Sequence, residues 1–527
     1  MKNVSTAVLM LLLASGIGAQ DLPDMEDEQA SDDYAEHLAF LRENPVNLNH
    51  AGLEQLMDLP GLTPYQVLRL DRYLKSHPGL SQPFQLEIDS VLSPAALEAI
   101  LPYISLDARE GARPERFRVS QRLQRRRPDC PELTDGTYPG NPWEGRSRVW
   151  FRPSAGVEAF LQSQHDPGEP EWADYLSGSL TFKTGGGKKA VIGDYQVVVG
   201  HGLLLGGVSP KIFTSSGISF PGSAPDVTAY RSSQEARGLR GAGFSSPLPG
   251  GLSLLGFWSR RPQDARVDSL GVAQAFYDDG YHRSPAELAR KNTSVETLAG
   301  GRVGWGRGSG PMVGLTYLSR SFDRAAANPY APWMSGLDGG IALERLRLSA
   351  ELAHGPGKLA GYGLGSLFIS GNYSGRIYLY GYSPGFLTPR FNGENYFGGE
   401  DERGGSIFAS WGRRRYNAAA IFGLFYPWQP MALSRQGFRG SRHETRLRAR
   451  LLKCLEAELR IRSQAKEIHQ SLPQEPLYQE SKYSLRPGLR WQIGRGFEVN
   501  CRYENQTFKD SRDGARLRGE LLAANFR

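Results

Sequence analysis

The chain has 527 residues but only three cysteines, Cys130, Cys454 and Cys501. Three thiols so far apart make no disulfide framework, although a single Cys454–Cys501 bridge stays open on sequence alone. None has a cysteine neighbour at metal-ligand spacing, and the nine histidines form no HExxH pattern. The expectation is therefore no metal, no cofactor and no catalytic set, that is, a non-enzyme. Beyond the N-terminus the chain also lacks any run of about 18 apolar residues. Its mean hydropathy is −0.43. A helical membrane protein is thereby excluded. Several soluble domains remain open, as does one large β-barrel whose lipid-facing residues alternate with polar ones.

What is present divides the chain. Lys2, the apolar run Ala7–Ala14 and the small residues Gly16, Gly18 and Ala19 read as a secretion signal over 1–20. Residues 21–36 carry eight acids and no base, an acidic leader that cannot bury a core. Residues 37–106 carry seven Asp/Glu and four Lys/Arg. The overall charge of +7 therefore places +17 from residue 107 onward, since Lys2 adds +1, the leader −8 and the next segment −3. An Arg-rich linker and first strand (107–127) leads into the remainder, 128–527. Within it Arg122, Arg125, Arg126 and Arg127 are candidates for anionic headgroups or nucleic acid, or simply for charges inside a barrel.

Residues 37–106 have helical spacing. Asn49 is placed to cap a helix bearing Leu53, Leu56 and Met57. Pro60-Gly61 breaks it. Thr63-Pro64-Tyr65-Gln66 then reads as an N-cap, a first-turn proline and a capping-box glutamine. Ser93-Pro94 opens a third helix with Leu97, Ile100 and Leu101 on one face. Leu48-Asn49, Ala51, Glu54, Leu56, Leu59-Pro60-Gly61, Tyr73, Gly79 and Leu86 together resemble a tandem helix-hairpin-helix domain of the competence-DNA-receptor kind. That resemblance implies a phosphate- or partner-contacting hairpin at Pro60, Gly61, Leu62 and Thr63, whose backbone N–H groups face an anion. The sequence departs from the pattern in three ways. Thr63 stands in place of a glycine, Pro64 has no N–H, and the second hairpin, Ser90–Pro94, has no glycine. With a net negative surface as well, nucleic acid is disfavoured as the partner and a periplasmic protein is preferred.

From about residue 116 the period changes to two. In Thr445–Leu451, Leu447, Ala449 and Leu451 share one face while Arg446, Arg448 and Arg450 share the other. After a turn near Lys453-Cys454, Glu456 and Glu458 alternate with Leu455, Ala457 and Leu459, so the arginine row can meet carboxylates across a hairpin. These are the candidate lumen charges. They either select an anionic solute or fill the lumen by pairing. Repeated runs of this kind predict a mainly β chain: a large antiparallel transmembrane β-barrel of about 16–20 strands behind a small all-α helix-hairpin-helix domain. Tyr378, Tyr380, Tyr382 and Phe386, and likewise Phe422, Phe425, Tyr426 and Trp428, are expected in aromatic girdles at the membrane surfaces. Phe182–Lys189 reads as a glycine-rich hairpin turn, because it lacks the phosphate-loop pattern.

Three stretches carry a wider resemblance: Glu43–Asn49, Val191-Ile192-Gly193-Asp194-Tyr195-Gln196 with Gly200-His201-Gly202-Leu203, and Gly280-Tyr281-His282-Arg283-Ser284-Pro285-Ala286-Glu287-Leu288. Together they resemble a family of Bacteroidota outer-membrane proteins in which a helix-hairpin-helix domain precedes a large barrel. The resemblance implies an outer-membrane location in a Gram-negative bacterium, contact with outer-membrane lipid and a periplasmic N-terminal domain. It implies no settled activity. Ser284-Pro285-Ala286-Glu287 is a further capping box, so a short helix is expected in a loop. The expected function is a channel or transport-assembly component for an anionic cargo. The alternatives are DNA handling at the envelope and a scaffold that docks a periplasmic partner.

Overall fold

The computed structural model describes, with short interruptions, residues 64–106, 117–206, 226–327, 331–386, 402–427 and 439–526, together with scattered positions from 41 to 62. The expected signal and acidic leader (1–36), and also Pro60, Gly61, Thr63, Arg126 and Arg127, lie outside the described residues.

The N-terminal unit is built as soluble proteins are. The helix Pro64–Ser76 begins at the proline that fits a first turn, and it turns Val67 and Leu70 inward. Leu48, Leu56, Leu86 and Ile100 meet them at 0–1% exposure. A two-residue parallel bridge, Val46–Asn47 with Ile104–Ser105, ties the start of the unit to its end. Asn49 departs from its expected role as a helix cap. Its side-chain amide donates to Leu80 O at 3.0 Å and to Leu106 O at 2.9 Å, supplying carbonyls that end the surrounding segments. Leu101 also departs from expectation: it sits in a 3-10 turn before Pro102 and is 46% exposed.

The rest is one antiparallel sheet of 22 strands, from Phe117–Arg125 to Arg516–Phe526. This exceeds the expected 16–20. The excess comes from two short strands, Asp226–Ala229 and Ala273–Tyr277, which the periodicity does not reveal. The sheet bypasses both, because Lys189–Val198 pairs directly with Leu239–Pro247, and Leu252–Val267 with Ser294–Gly306. Without those two, 20 long staves remain. In strand order the last stave stands next to the first. No hydrogen-bonded register across that seam is among the described pairings.

The connections alternate in length. The end where the first strand begins has tight turns, including 155–156, 343–345, 371–372, 414–415 and 453–454. The other end has 126–142, 166–174, 199–238, 268–293 and 383–401, along with the short connections 356–357 and 511–515.

Register assigns the faces. Val303, Leu315, Leu337 and Leu352 stand opposite one another on four adjacent strands. All four point outward, 49–62% exposed. One residue along, Arg302, Thr316 and Ala353 point inward at 1–5% exposure. The same inversion recurs around the sheet. Leu161, Leu176, Ile192, Ile377, Leu379 and Ile407 are exposed, while Glu158, Gln162, Glu296, Glu351 and Glu444 are buried. The register also corrects the aromatic expectation. Tyr378, Tyr380, Tyr382, Phe386 and Phe425 are 0–6% exposed and face the interior. Ile377 and Leu379 take the outward positions beside those tyrosines, so parity excludes the tyrosines from a girdle. Phe422 and Tyr426 do face outward.

Candidate functional site

Two inward surfaces and one rim knot carry the chemistry. The first surface is tightly filled. After the strand Lys189–Val198 the chain dips into the interior, and Leu203, Leu204 and Leu205 pack at 0–1% exposure against Tyr195, Tyr378 and Phe386. Glu351, on the strand Leu346–Gly355, accepts the backbone N–H of His201 at 2.5 Å and that of Leu203 at 3.2 Å. Gly200 makes this seat fit: its φ is +53°, and a Cβ there would lie 2.7 Å from the Glu351 carboxylate. Two ion pairs lie on the neighbouring strands. Arg302 grips Asp338 through two bonds of 2.9 and 2.6 Å, and Arg320 meets Glu296 at 2.6 Å. Asp194 shares the strand parity of the exposed Ile192 but is itself 7% exposed. It bonds Arg240 at 2.7 Å and accepts the Gly178 N–H at 2.8 Å, beyond the last β pairing of its strand with Tyr175–Lys183.

The second surface is basic. The strands Gly440–Leu452, Leu455–Ile468 and Tyr478–Ile493 set Arg446, Arg460 and Arg486 side by side in one row. Like charges directly opposite one another repel. What holds the row is Glu444, 1% exposed, with Arg446 at 2.6 Å, Arg460 at 3.0 Å, Arg442 at 3.5 Å and Arg462 at 3.7 Å. One carboxylate thus serves four guanidinium groups. On the next strand Glu504 lies 3.8 Å from Arg486. Of the charges picked from sequence, Arg448 meets Glu458 at 2.9 Å, and Arg450 stands opposite Glu456. Arg446 instead bonds Glu444 on its own strand. Arg122 is exposed and donates to Gln124 at 2.6 Å, and Arg125 lies over the Trp143 ring at 5.9 Å. Leu62 packs on the N-terminal core, the one described residue of its hairpin. The cysteines are free.

The third feature lies at the long-loop rim. Ser284 caps the helix Pro285–Arg290 with a full capping box to Glu287, as its spacing predicts. That helix fixes His282 between two carboxylates: Nδ1 contacts Asp174, and Nε2 meets Asp264 at 2.7 Å. Glu169 accepts the backbone N–H of Asp166 at 2.7 Å and that of His282 at 3.3 Å. Lys291 adds a 2.5 Å bond to Asp174. Burial alone would lower the His282 pKa, but its bonds to Asp174 and Asp264 outweigh that and raise it to about 10. Burial pushes Glu169 up to about 7 and Glu235 up to about 8.

Sequence reading missed Glu444, Glu351 and the acids around His282. Glu444 shares the parity of Arg446 and Arg448, so extending the alternation by one residue finds it. The others come from segments far apart in the chain, and no local pattern marks them.

No family model matches the chain, and no curated protein matches it. Among solved structures it is similar to OccAB3 of Acinetobacter baumannii, at 12% identity over 78% of this chain and 98% of that one, with a TM-score of 0.35. It is similar to OpdQ of Pseudomonas aeruginosa, at 10% identity over 73% and 91%, with a TM-score of 0.36. It is also similar to a BenF-like porin from Pseudomonas fluorescens Pf-5, at 10% identity over 78% and 96%, with a TM-score of 0.36.

Proposed function

We propose that the chain is a closed outer-membrane β-barrel whose N-terminal helical domain hangs in the periplasm, and that it serves as a channel or transport-assembly component for an anionic cargo. The observation that carries this reading is the inverted polarity of the sheet. Leucine, isoleucine and valine cover the outside, while arginine and glutamate lie within. In water that arrangement is costly on both faces; in a bilayer it is favourable on both. Long connections at one end and tight turns at the other fit the outer and periplasmic sides of such barrels. The helical domain enters on the tight-turn side. The row Arg446–Arg460–Arg486 favours an anion over a cation along that wall.

Planar-bilayer recording tests the proposal. Conductance steps are expected, with a reversal potential in a salt gradient that reports anion preference. Replacing Arg446 and Arg460 with Gln should reduce that preference. A silent bilayer would end the channel reading. It would favour a scaffold, a second reading supported by the Leu203–Leu205 segment packed inside the barrel.

A further inference from the structure

The knot around His282 gathers three carboxylates about two bonded cations. Asp174 and Asp264 contact the imidazole directly, and Glu169 is bonded to the backbone N–H of the same residue. Asp166 adjoins them, its backbone N–H bonded to Glu169 at 2.7 Å. The cations bonded to this group are His282 and Lys291. Arg283 is engaged with Glu287, and Arg290 with Asp279. Burying unbalanced negative charge is costly, and a cation relieves it.

We propose that the knot is a divalent transition-metal site, with His282 Nδ1, Asp174 and Glu169 as ligands. One ligand atom from each of these residues lies within 4.8 Å of the others. His282 and Asp174 are buried, their side chains 3% and 0% exposed. Asp264 stands behind the imidazole, accepting from Nε2, and its other oxygen is held by the Asn292 N–H at 2.8 Å. That is how a metal-bound histidine is oriented: the far ring nitrogen donates to a carboxylate, and the near one turns its lone pair to the ion. Next to Asp166, which bonds Glu169, lies one more buried polar group. Gln164 is 7% exposed, its amide nitrogen donates to Asp166, and its carbonyl oxygen has no partner in this acidic surrounding. Buried oxygens of this kind are normally satisfied.

In the metal-free protein a proton on Nδ1 joins His282 to Asp174. On binding, the ion takes that proton's place, the two side chains part slightly, and one proton passes to solvent. One imidazole with two carboxylates suits zinc, manganese or iron. Calcium and magnesium prefer sets made wholly of oxygen.

The test uses the full chain in detergent, without an added histidine tag and stripped with a chelator. Zinc is titrated by calorimetry and cobalt by visible absorption. One equivalent should bind with a ligand-field spectrum that includes nitrogen. His282→Ala should weaken binding at least 100-fold, and Asp264→Asn, which acts through His282, about 10- to 100-fold. Glu169→Gln keeps the shape and a carbonyl acceptor for the His282 N–H. It therefore serves as the decisive variant should His282→Ala fail to fold, and at least a 10-fold loss is expected. Absence of stoichiometric binding overturns the site. So does affinity unchanged in Glu169→Gln, or calcium competing as well as zinc.

Discussion

The helical unit and the sheet bury opposite things. In the first, Leu56, Leu70 and Leu86 are at 0% exposure and the charges face out. In the second, Leu315 is 62% exposed while Glu444 is 1% exposed. One chain applies two rules, and the simplest physical reason is two solvents. A hydrophobic residue goes where water is absent. For the helices that is their own interior, and for the sheet, in the proposed bilayer setting, it is the outside. The contrast also explains composition: alternation dilutes the outer apolar surface so thoroughly that mean hydropathy stays at −0.43.

The contrast can be broken by substitution. The largest effect is expected inside the sheet. Glu444→Ala leaves four arginines facing one another and should cost about 3–5 kcal/mol, read as a lower unfolding midpoint in denaturant and altered heat-modifiable migration on a gel. A neutral result would mean that water, not Glu444, screens that wall. Next comes Leu70→Ala in the helical core, expected to cost about 2–5 kcal/mol. It should melt that unit while leaving the sheet's circular dichroism unchanged. Leu315→Arg sharpens the comparison most. At an exposed site in water such a change stays within about 0.5 kcal/mol, whereas on a lipid face it costs about 1–4 kcal/mol, rising with depth. Equilibrium unfolding in lipid vesicles decides between the two, and a silent Leu315→Arg would remove the basis for a membrane barrel. The smallest effect is Ser284→Ala. It removes the cap at the rim and should cost about 0.5–2 kcal/mol, seen as faster amide exchange over 284–291 with the staves unaffected.

The parts legible in sequence were those encoded locally. Period-two alternation identifies Leu447 and Leu451 as outward and Arg448 as inward. Ser284 and Glu287 announce their capping box within four residues. The aromatics misled, because tyrosine packs in a buried interior as readily as at a membrane surface, and Tyr378 and Tyr380 take the inner parity. The strand count fell short because a strand of four or five residues, such as Asp226–Ala229, is too short to show a period. The rim knot was out of reach for another reason. Asp174, Asp264 and His282 meet only after three segments converge, and nothing near any one of them in sequence names the other two.

The free thiols have a practical consequence. Cys130 precedes the helix Pro131–Thr134 at the long-loop rim, and Cys454 is exposed in the tight turn between Gly440–Leu452 and Leu455–Ile468 at the opposite rim. The third, Cys501, stands mid-strand opposite the outward-facing Leu489, so Cys130 and Cys454 serve as one reporter for each end of the sheet. On the proposed orientation, a membrane-impermeant maleimide applied to intact cells should tag Cys130 and spare Cys454 until the envelope is breached, so that orientation can be read without adding a single foreign residue.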